Sequence, residues 1–224
     1  MRLHKFLATA GIASRRQAEV LIQKGKISVN GKVVTSMGVV IDQDNDIVTY
    51  QDKRITLTKD LTYIALNKPV GYISSASSGQ GKSVLALVKS KTRLYPVGRL
   101  DKDSSGLMIL TNDGELTNKI THPKYLSEKE YFVILDRDLS PEDIKRLEKG
   151  MTINGQKVKG ISVPMAQNKS ARLVLTQGIN RQIRRMLGKL GYTVVKLKRV
   201  RIGKLELGTL KEGQWRIISK DEIK

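Results

Sequence analysis

Three stretches of the chain carry residue types that could do chemistry. The first is residues 98–107, GRLDKDSSGL, where Arg99, Asp101, Lys102 and Asp103 lie between Gly98 and Gly106 and an apolar run, LMILT, follows. A loop that launches a buried strand can hold a carboxylate at the edge of a cleft, with the sheet fixing its geometry. Such a carboxylate can act as a general base or as a nucleophile. Spacing alone does not choose between Asp101 and Asp103. The second stretch, residues 177–204, holds nine cations (Arg181, Arg184, Arg185, Lys189, Lys196, Lys198, Arg199, Arg201 and Lys204) and no acid. Uncompensated cations repel one another, so this density favours a phosphate-rich partner over a merely solvated face. The third, residues 76–83, reads ASSGQGKS and looks like a phosphate-binding loop, with Lys82 and Ser83 at the phosphate and magnesium positions.

The elements around these stretches weigh against the third. The phosphate-loop pattern lacks its first Gly, the strand before it is short, and residues 94–111 read as turns and hairpins. A parallel nucleotide-binding sheet needs βαβ crossovers there, so no nucleotide is expected. A helix is nevertheless expected over 83–90. Beyond Leu61, strands are predicted at 62–67, 106–111, 130–136, 171–176, 192–202 and 215–218, and further helices at 114–121, 141–149 and 180–190. Consecutive strands often lack a helix between them, which points to an α+β fold with a mixed, mostly antiparallel central sheet flanked by helices. Ile179, Ile183, Met186, Leu187 and Leu190 form an apolar stripe at helical spacing. Arg181, Arg184 and Arg185 then project from the other side, with Arg184 nearest the buried edge. In the following strand Leu197 and Ile202 fall in opposite phases, so a bulge or sharp twist is predicted near Lys198–Arg199.

Residues 1–41 form a different kind of unit, with seven basic side chains and one acid. A short helix from Leu3 stops at Gly11, and Ser14 reads as the N-cap of a second helix that ends at Gly25. Asn30-Gly31 between Ile27-Ser28-Val29 and Val33-Val34 is a two-residue hairpin signal, because a type I′ turn needs positive φ at both positions. The domain boundary is placed at 58/59, giving units 1–58 and 59–224.

Composition agrees with a polyanionic partner. Lys+Arg number 41 against 21 Asp+Glu, a formal charge of +20 over 224 residues. With no Cys and two His, disulfides and thiolate metal sites are excluded and imidazole sites disfavoured. No apolar run is long enough to span a bilayer and the first residues lack a secretion-signal core. A cytoplasmic, monomeric protein with no metal, no cofactor and no membrane association is expected.

Residues 14–34, SRRQAEVLIQKGKISVNGKVV, resemble the S4 RNA-binding module, and the resemblance covers roughly 1–50. It implies RNA-facing roles for Arg2, Lys5, Ser14, Arg15, Arg16, Lys24, Asn30 and Lys32. Behind this module, GRLDKDSSGL, EKEY at 128–131 and QGINRQIRRM at 177–186 occur in an order that resembles the bacterial ribosomal RNA pseudouridine synthases, the A-type small-subunit enzymes with their relatives. NRQIRRM and the later Gly-Tyr-x-Val are most similar to the F-type large-subunit enzymes. The chain differs from that type in ending soon after residues 214–219, without a long basic tail, which leaves the target uridine open. The resemblance implies that Asp101 is the catalytic carboxylate, Tyr131 the residue that stacks on the uracil, and Arg184 the basic partner of Asp101. Arg99 would help hold RNA with the base flipped out, Arg181 and Arg185 of the cation cluster are further RNA-binding candidates, and 23S rRNA is favoured over 16S rRNA as partner. The implied reaction breaks the C1′–N1 bond of a uridine, turns the base and rejoins it through C5, either by attack of the carboxylate on C1′ or by removal of H2′. The alternative is a non-catalytic RNA-binding or ribosome-assembly factor on the same scaffold.

Overall fold

In the computed structural model, which describes residues 1–57, 60–75 and 81–223, the chain divides into two compact units. Both the proposed boundary near Lys59 and residues 76–80 of the phosphate-loop lookalike lie outside the described residues.

The first unit comprises residues 1–62 with the short segments 91–93 and 112–114. It opens with helices α1 (Leu3–Thr9) and α2 (Arg15–Gln23), followed by strands β1 (Ile27–Val29), β2 (Lys32–Val34), β3 (Val48–Tyr50) and β4 (Lys53–Arg54). Ser14 caps α2 as expected: its hydroxyl accepts from Gln17 N at 3.2 Å while the Gln17 side chain accepts from Ser14 N at 3.1 Å. Asn30 and Gly31 have φ of 50° and 78°, the double positive φ of a type I′ turn. Leu3, Leu7, Ala18, Ile22 and Ile27 close a small core between the helices and the four-stranded sheet.

The second unit contains strands β5 (Tyr63–Lys68), β6 (Tyr95–Pro96), β7 (Ser105–Thr111), β8 (Lys129–Leu135), β9 (Met151–Ile153), β10 (Gln156–Val158), β11 (Ser162–Gln167), β12 (Ser170–Leu175), β13 (Val194–Ile202), β14 (Leu205–Glu206) and β15 (Trp215–Ile217). Its helices are α3 (Gly114–Thr121), α4 (Pro141–Lys149) and α5 (Gln182–Lys189). The main path of the large sheet runs β11-β12-β8-β13-β7-β5-β15. Every named pair in it is antiparallel except β13 with β7, so the expectation of a mixed, mostly antiparallel sheet holds. Alternation along β7 loads both faces: Met108 and Leu110 enter one core, Leu107 and Ile109 the other. That double burial explains why its sequence is a continuous apolar run.

Two differences from expectation have local causes. Residues 83–90 are not an α-helix. Ile73 and Ser83 form an isolated bridge, with Val84 N donating to Ile73 O, and only a 3-10 turn at Val84–Leu87 follows. The hairpin β9–β10 and the strands β6, β11 and β14 were not anticipated. Asn154-Gly155 between β9 and β10 has φ of 48° and 74°, the same signal as Asn30-Gly31. Pro164 disqualifies a central strand but suits β11 at the sheet edge. Among the described residues, no helix is long and apolar enough to cross a membrane.

Candidate active site

A cleft of about 250 Å³ opens over one face of the large sheet, wholly within the second unit. Its floor is strand residues: Lys129 and Tyr131 of β8, Leu175 of β12, Leu197 and Arg199 of β13. One wall is the 97–104 loop with Arg99, Asp101 and Ser104; the other is residues 178–183, which lead into α5. Two stretches nearly eighty residues apart in sequence, both singled out for their chemistry, therefore face one opening.

The charges at its mouth are interlocked. Asp101 lines the cleft with its side chain 29% exposed, and Arg181 Nη1 lies 3.7 Å from its Oδ2. Arg181 also grips Asp103 with two hydrogen bonds of 3.1 Å, one to each carboxylate oxygen. Partial burial pushes the Asp103 carboxyl up, but the Arg181 hydrogen bond and the charges of Arg184 and Arg181 prevail and hold it below its ordinary value. Arg184 is 14% exposed and works on the same loop: its Nη2 donates to Asp103 O at 3.0 Å, its Nη1 to Val194 O at 2.9 Å, and its Nε lies 3.4 Å from Asp103 Oδ2. The expected pairing thus takes a different form. Arg181 touches Asp101, whereas Arg184 ties the Asp103 backbone to β13. Arg181 is not on the outer face of α5 either; it is the N-cap, in a left-handed conformation with φ 51°.

Tyr131 is buried in β8, packs in the main core and still lines the cleft. Beside it, Glu130 faces the opposite side of the sheet and receives hydrogen bonds from Arg172 at 2.6 Å and Arg201 at 2.9 Å. Three cations near the loop had been given no place in the site, although Arg199 was counted among the nine of residues 177–204. Lys68 is fully buried at the end of β5, and its Nζ donates to Ser104 O at 2.6 Å and Pro69 O at 3.1 Å, anchoring the loop from below. Burial pushes its ammonium down to about 8, against the pull of Asp103 and Asp101. Lys129, also pushed down to about 8 by burial and by the charge of Arg199, donates to Ser127 O at 2.8 Å and Ile120 O at 3.1 Å. Arg199 is 2% exposed. Its signal was the shared phase with Leu197, two residues earlier on an inward-facing run. The predicted irregularity appears as register shifts in the β8–β13 ladder between Val194 and Lys196 and between Arg199 and Arg201.

The buried Lys68 and the half-buried Lys129 make stability depend on pH. Between about pH 8 and the ordinary lysine value of 10.5, the unfolded chain keeps protons that the native protein has released. Stability therefore rises with pH across that window, and the cost of burying both charges is present in full below it. Urea midpoints measured at both ends of the window should show this rise, and Lys68→Met should make it smaller. An equal rise in Lys68→Met would rule out this assignment to Lys68.

The lookalike site offers no comparable geometry among its described residues. Lys82 is exposed, and the Ser83 hydroxyl is used locally, donating to Ser75 O and accepting from Leu85 N at 3.2 Å.

Comparison with known proteins shows the family. Residues 62–189 match the family model for RNA pseudouridylate synthase, and residues 1–48 match the S4 domain. The chain belongs to the RNA pseudouridine synthase family. Over 225 residues the synthase is 40% identical to the dual-specificity RNA pseudouridine synthase RluF of Escherichia coli (strain K12), covering all of this chain and 77% of that protein. It is 39% identical over 231 residues to the ribosomal large subunit pseudouridine synthase B of Bacillus subtilis (strain 168), covering 100% and 94% of the two chains. A crystal structure of a pseudouridylate synthase superposes with a TM-score of 0.73 at 31% identity, covering 100% of this chain and 98% of that one.

Of the residues the sequence assigned to RNA, the synthase places Arg99 and Arg181 at the cleft. Arg185 is exposed on α5 and donates to Asn180 Oδ1 at 3.1 Å. In the S4 unit Arg2, Lys5, Arg15, Arg16, Lys24 and Lys32 are exposed, and Arg2 donates to Gly38 O. Ser14 and Asn30 are engaged within the unit, Ser14 as the cap and Asn30 through Asp46 Oδ1 at 2.8 Å and Ile47 N at 2.9 Å.

Proposed function

We propose that the synthase isomerises one uridine of ribosomal RNA, in 23S rather than 16S rRNA, with Asp101 as the reacting carboxylate. The observation that carries the reading is the convergence of Asp101, Arg181 and Tyr131 on a single cleft whose floor combines Leu175 and Leu197 with Lys129 and Arg199. A uracil flipped out of its helix needs a flat face to lie on, and Tyr131 supplies one. Asp101 stands on the loop wall, where its carboxylate either bonds to C1′ or removes H2′. Arg181 bridges Asp101 and Asp103, while Arg184 and Lys68 pin the loop backbone, so the carboxylate meets its substrate already placed. Arg184 is a positioning residue acting through Asp103. The names of the relatives support ribosomal RNA as the substrate: one is a ribosomal large subunit enzyme, the other a dual-specificity RNA enzyme. The test is to map pseudouridine by chemical adduct formation in ribosomal RNA from cells with and without this gene. A uridine of 23S rRNA that loses its modification with the gene supports the reading; an unchanged map overturns it.

The S4 unit serves as the phosphate-binding half in this reading. Its exposed Arg15 and Arg16 start α2 and have no acid in the first turn beside them. Replacing both with Ala should lower the slope of log affinity against log salt by about 1.4–1.8, at about 0.7–0.9 per lost phosphate contact. Affinity titrated at several salt concentrations checks this, and an unchanged slope would remove both residues from the RNA contact.

A further inference from the structure

Arg199 is a buried cation with work left undone. Its Nε donates to Leu107 O at 2.7 Å, but its Nη2 is buried and has no hydrogen-bond partner. A buried donor without a partner is costly, and more so when charged. Ser104 Oγ is likewise buried and unpartnered, and both residues line the cleft. Arg199 also acts as a like charge on both Lys68 and Lys129. Such a floor is organised for an acceptor, and for a negative one most of all.

Register says where that acceptor lies. Arg199 is directly opposite Tyr131 across the β8–β13 pair, so both side chains rise from the same face of the sheet as immediate neighbours. A ring resting on Tyr131 presents its edge to Arg199. Leu100, Leu175 and Leu197 line the cleft beside Arg199, a setting that suits the edge of a flat base. The exposed Arg99 and Arg181 at the rim are the natural phosphate ligands.

We propose that Arg199 is a catalytic residue whose free Nη2 donates to the edge of the flipped uracil and holds that base as an anion after the C1′–N1 bond breaks. The inference rests on reading the cleft as the site of uridine isomerisation. The electrons require it: the pair of the broken bond leaves with the base, while C1′ bonds to Asp101, or C2′ loses H2′ to it and the C2′–H pair becomes a C1′=C2′ double bond. The base turns, C5 uses a pair to bond to C1′, and the pair held by Asp101 returns to the carboxylate, or H2′ returns to C2′. C5 then loses its proton while N1 gains one, so nothing is consumed. Arg199 stays charged throughout, and its bond to the anion is stronger than its bond to the neutral base, which is the condition for speeding the step.

The experiment compares the parent protein with R199M and R199K on an RNA transcript carrying the mapped uridine, and on the same transcript with 5-fluorouridine at that position. Single-turnover consumption of the target nucleoside and RNA affinity are both measured. R199M should slow consumption about 10- to 100-fold with affinity within about threefold, the scale of one lost charged hydrogen bond. Fluorine stabilises the base anion by withdrawing charge, so the loss should shrink several-fold on the fluorinated transcript, and R199K should recover part of the rate on both. Equal losses on the two transcripts would assign Arg199 a structural role and overturn the proposal, as would a loss of affinity alone or no loss. If R199M lacks a cooperative unfolding transition, R199K against the parent carries the same comparison. Retained conversion in D101N would bring down the reading of the cleft itself, whereas an inactive D101N beside a fully active R199M would bring down this proposal alone.

Discussion

Asp101→Asn should slow single-turnover conversion on the order of 10³-fold or more while leaving RNA affinity within a few fold. The amide keeps the shape of the carboxylate but can neither bond to C1′ nor take a proton. The loop should stay in place, because Arg181 keeps both hydrogen bonds to Asp103, and Arg184 and Lys68 hold its backbone at Asp103 and Ser104. Affinity should be unchanged or slightly tighter, since one negative charge facing a polyanion is removed. Asp103→Asn is the necessary companion. It weakens the Arg181 and Arg184 contacts without touching the reacting group, so its loss of rate should be smaller. If Asp101→Asn retains rate within about tenfold of the parent while Asp103→Asn does not, the roles of the two aspartates are reversed.

Gly106→Ala should be severely destabilising. A Cβ at this position would stand 2.2 Å from Arg199 O and 2.6 Å from Arg199 N, both rigid backbone atoms of the neighbouring strand. The residue also has φ of 108°, where an L side chain is strained. Overpacking and backbone strain together should cost about 2–6 kcal/mol, a large part of the total stability of an ordinary domain. The contact lies at the parallel pairing of β7 with β13, so the substitution displaces the end of the Asp101 loop and Arg199 together. Gly98→Ala is the control: φ is 74°, but the nearest atom to its Cβ is Thr121 Cγ2 at an ordinary 3.5 Å. Urea unfolding of the two variants should separate them clearly. A Gly106→Ala midpoint equal to that of the parent would refute the account of this contact.

Local signals in the sequence were enough to find most of the elements that build the site. Period and turn chemistry located α5, β7, β8 and β13, and the phase change in residues 195–202 announced a break in the ladder. What they could not supply is partnership. Nothing in the spacing of Asp101, Asp103, Arg181 and Arg184 says that Arg181 bridges both carboxylates while Arg184 serves the backbone. That distinction follows from the left-handed cap at Arg181, which turns it off the helix face. Lys68 and Arg199 were hidden for a related reason. Lysine and arginine are almost never fully buried without partners, so a sequence reading assigns them to solvent. Here the partners are the carbonyls of Ser104 and Leu107, which no side-chain pattern records. The unit-one candidates Ser14 and Asn30 carried two readings from the start, as cap and turn residues and as RNA-facing ones, and the structure shows the first.

The order in which a ribosome delivers these segments has a consequence of its own. Strand β13 lies between β8 and β7, although both precede it in the chain by about sixty residues or more. Until residues 194–202 have emerged, β7 and the loop that carries Asp101 have no neighbour on that side, and β8 lacks one of its two. The central ladder therefore closes late, through contacts of long sequence separation, which is the slow kind of folding. A nascent chain arrested before β13 would display two unpaired strand edges, the template for association with other chains. It would also lack Leu197 and Arg199, so the cleft is complete only once β13 has been made. Pulse-labelled nascent chains should acquire protease resistance across β7 and β8 in one late step, not gradually.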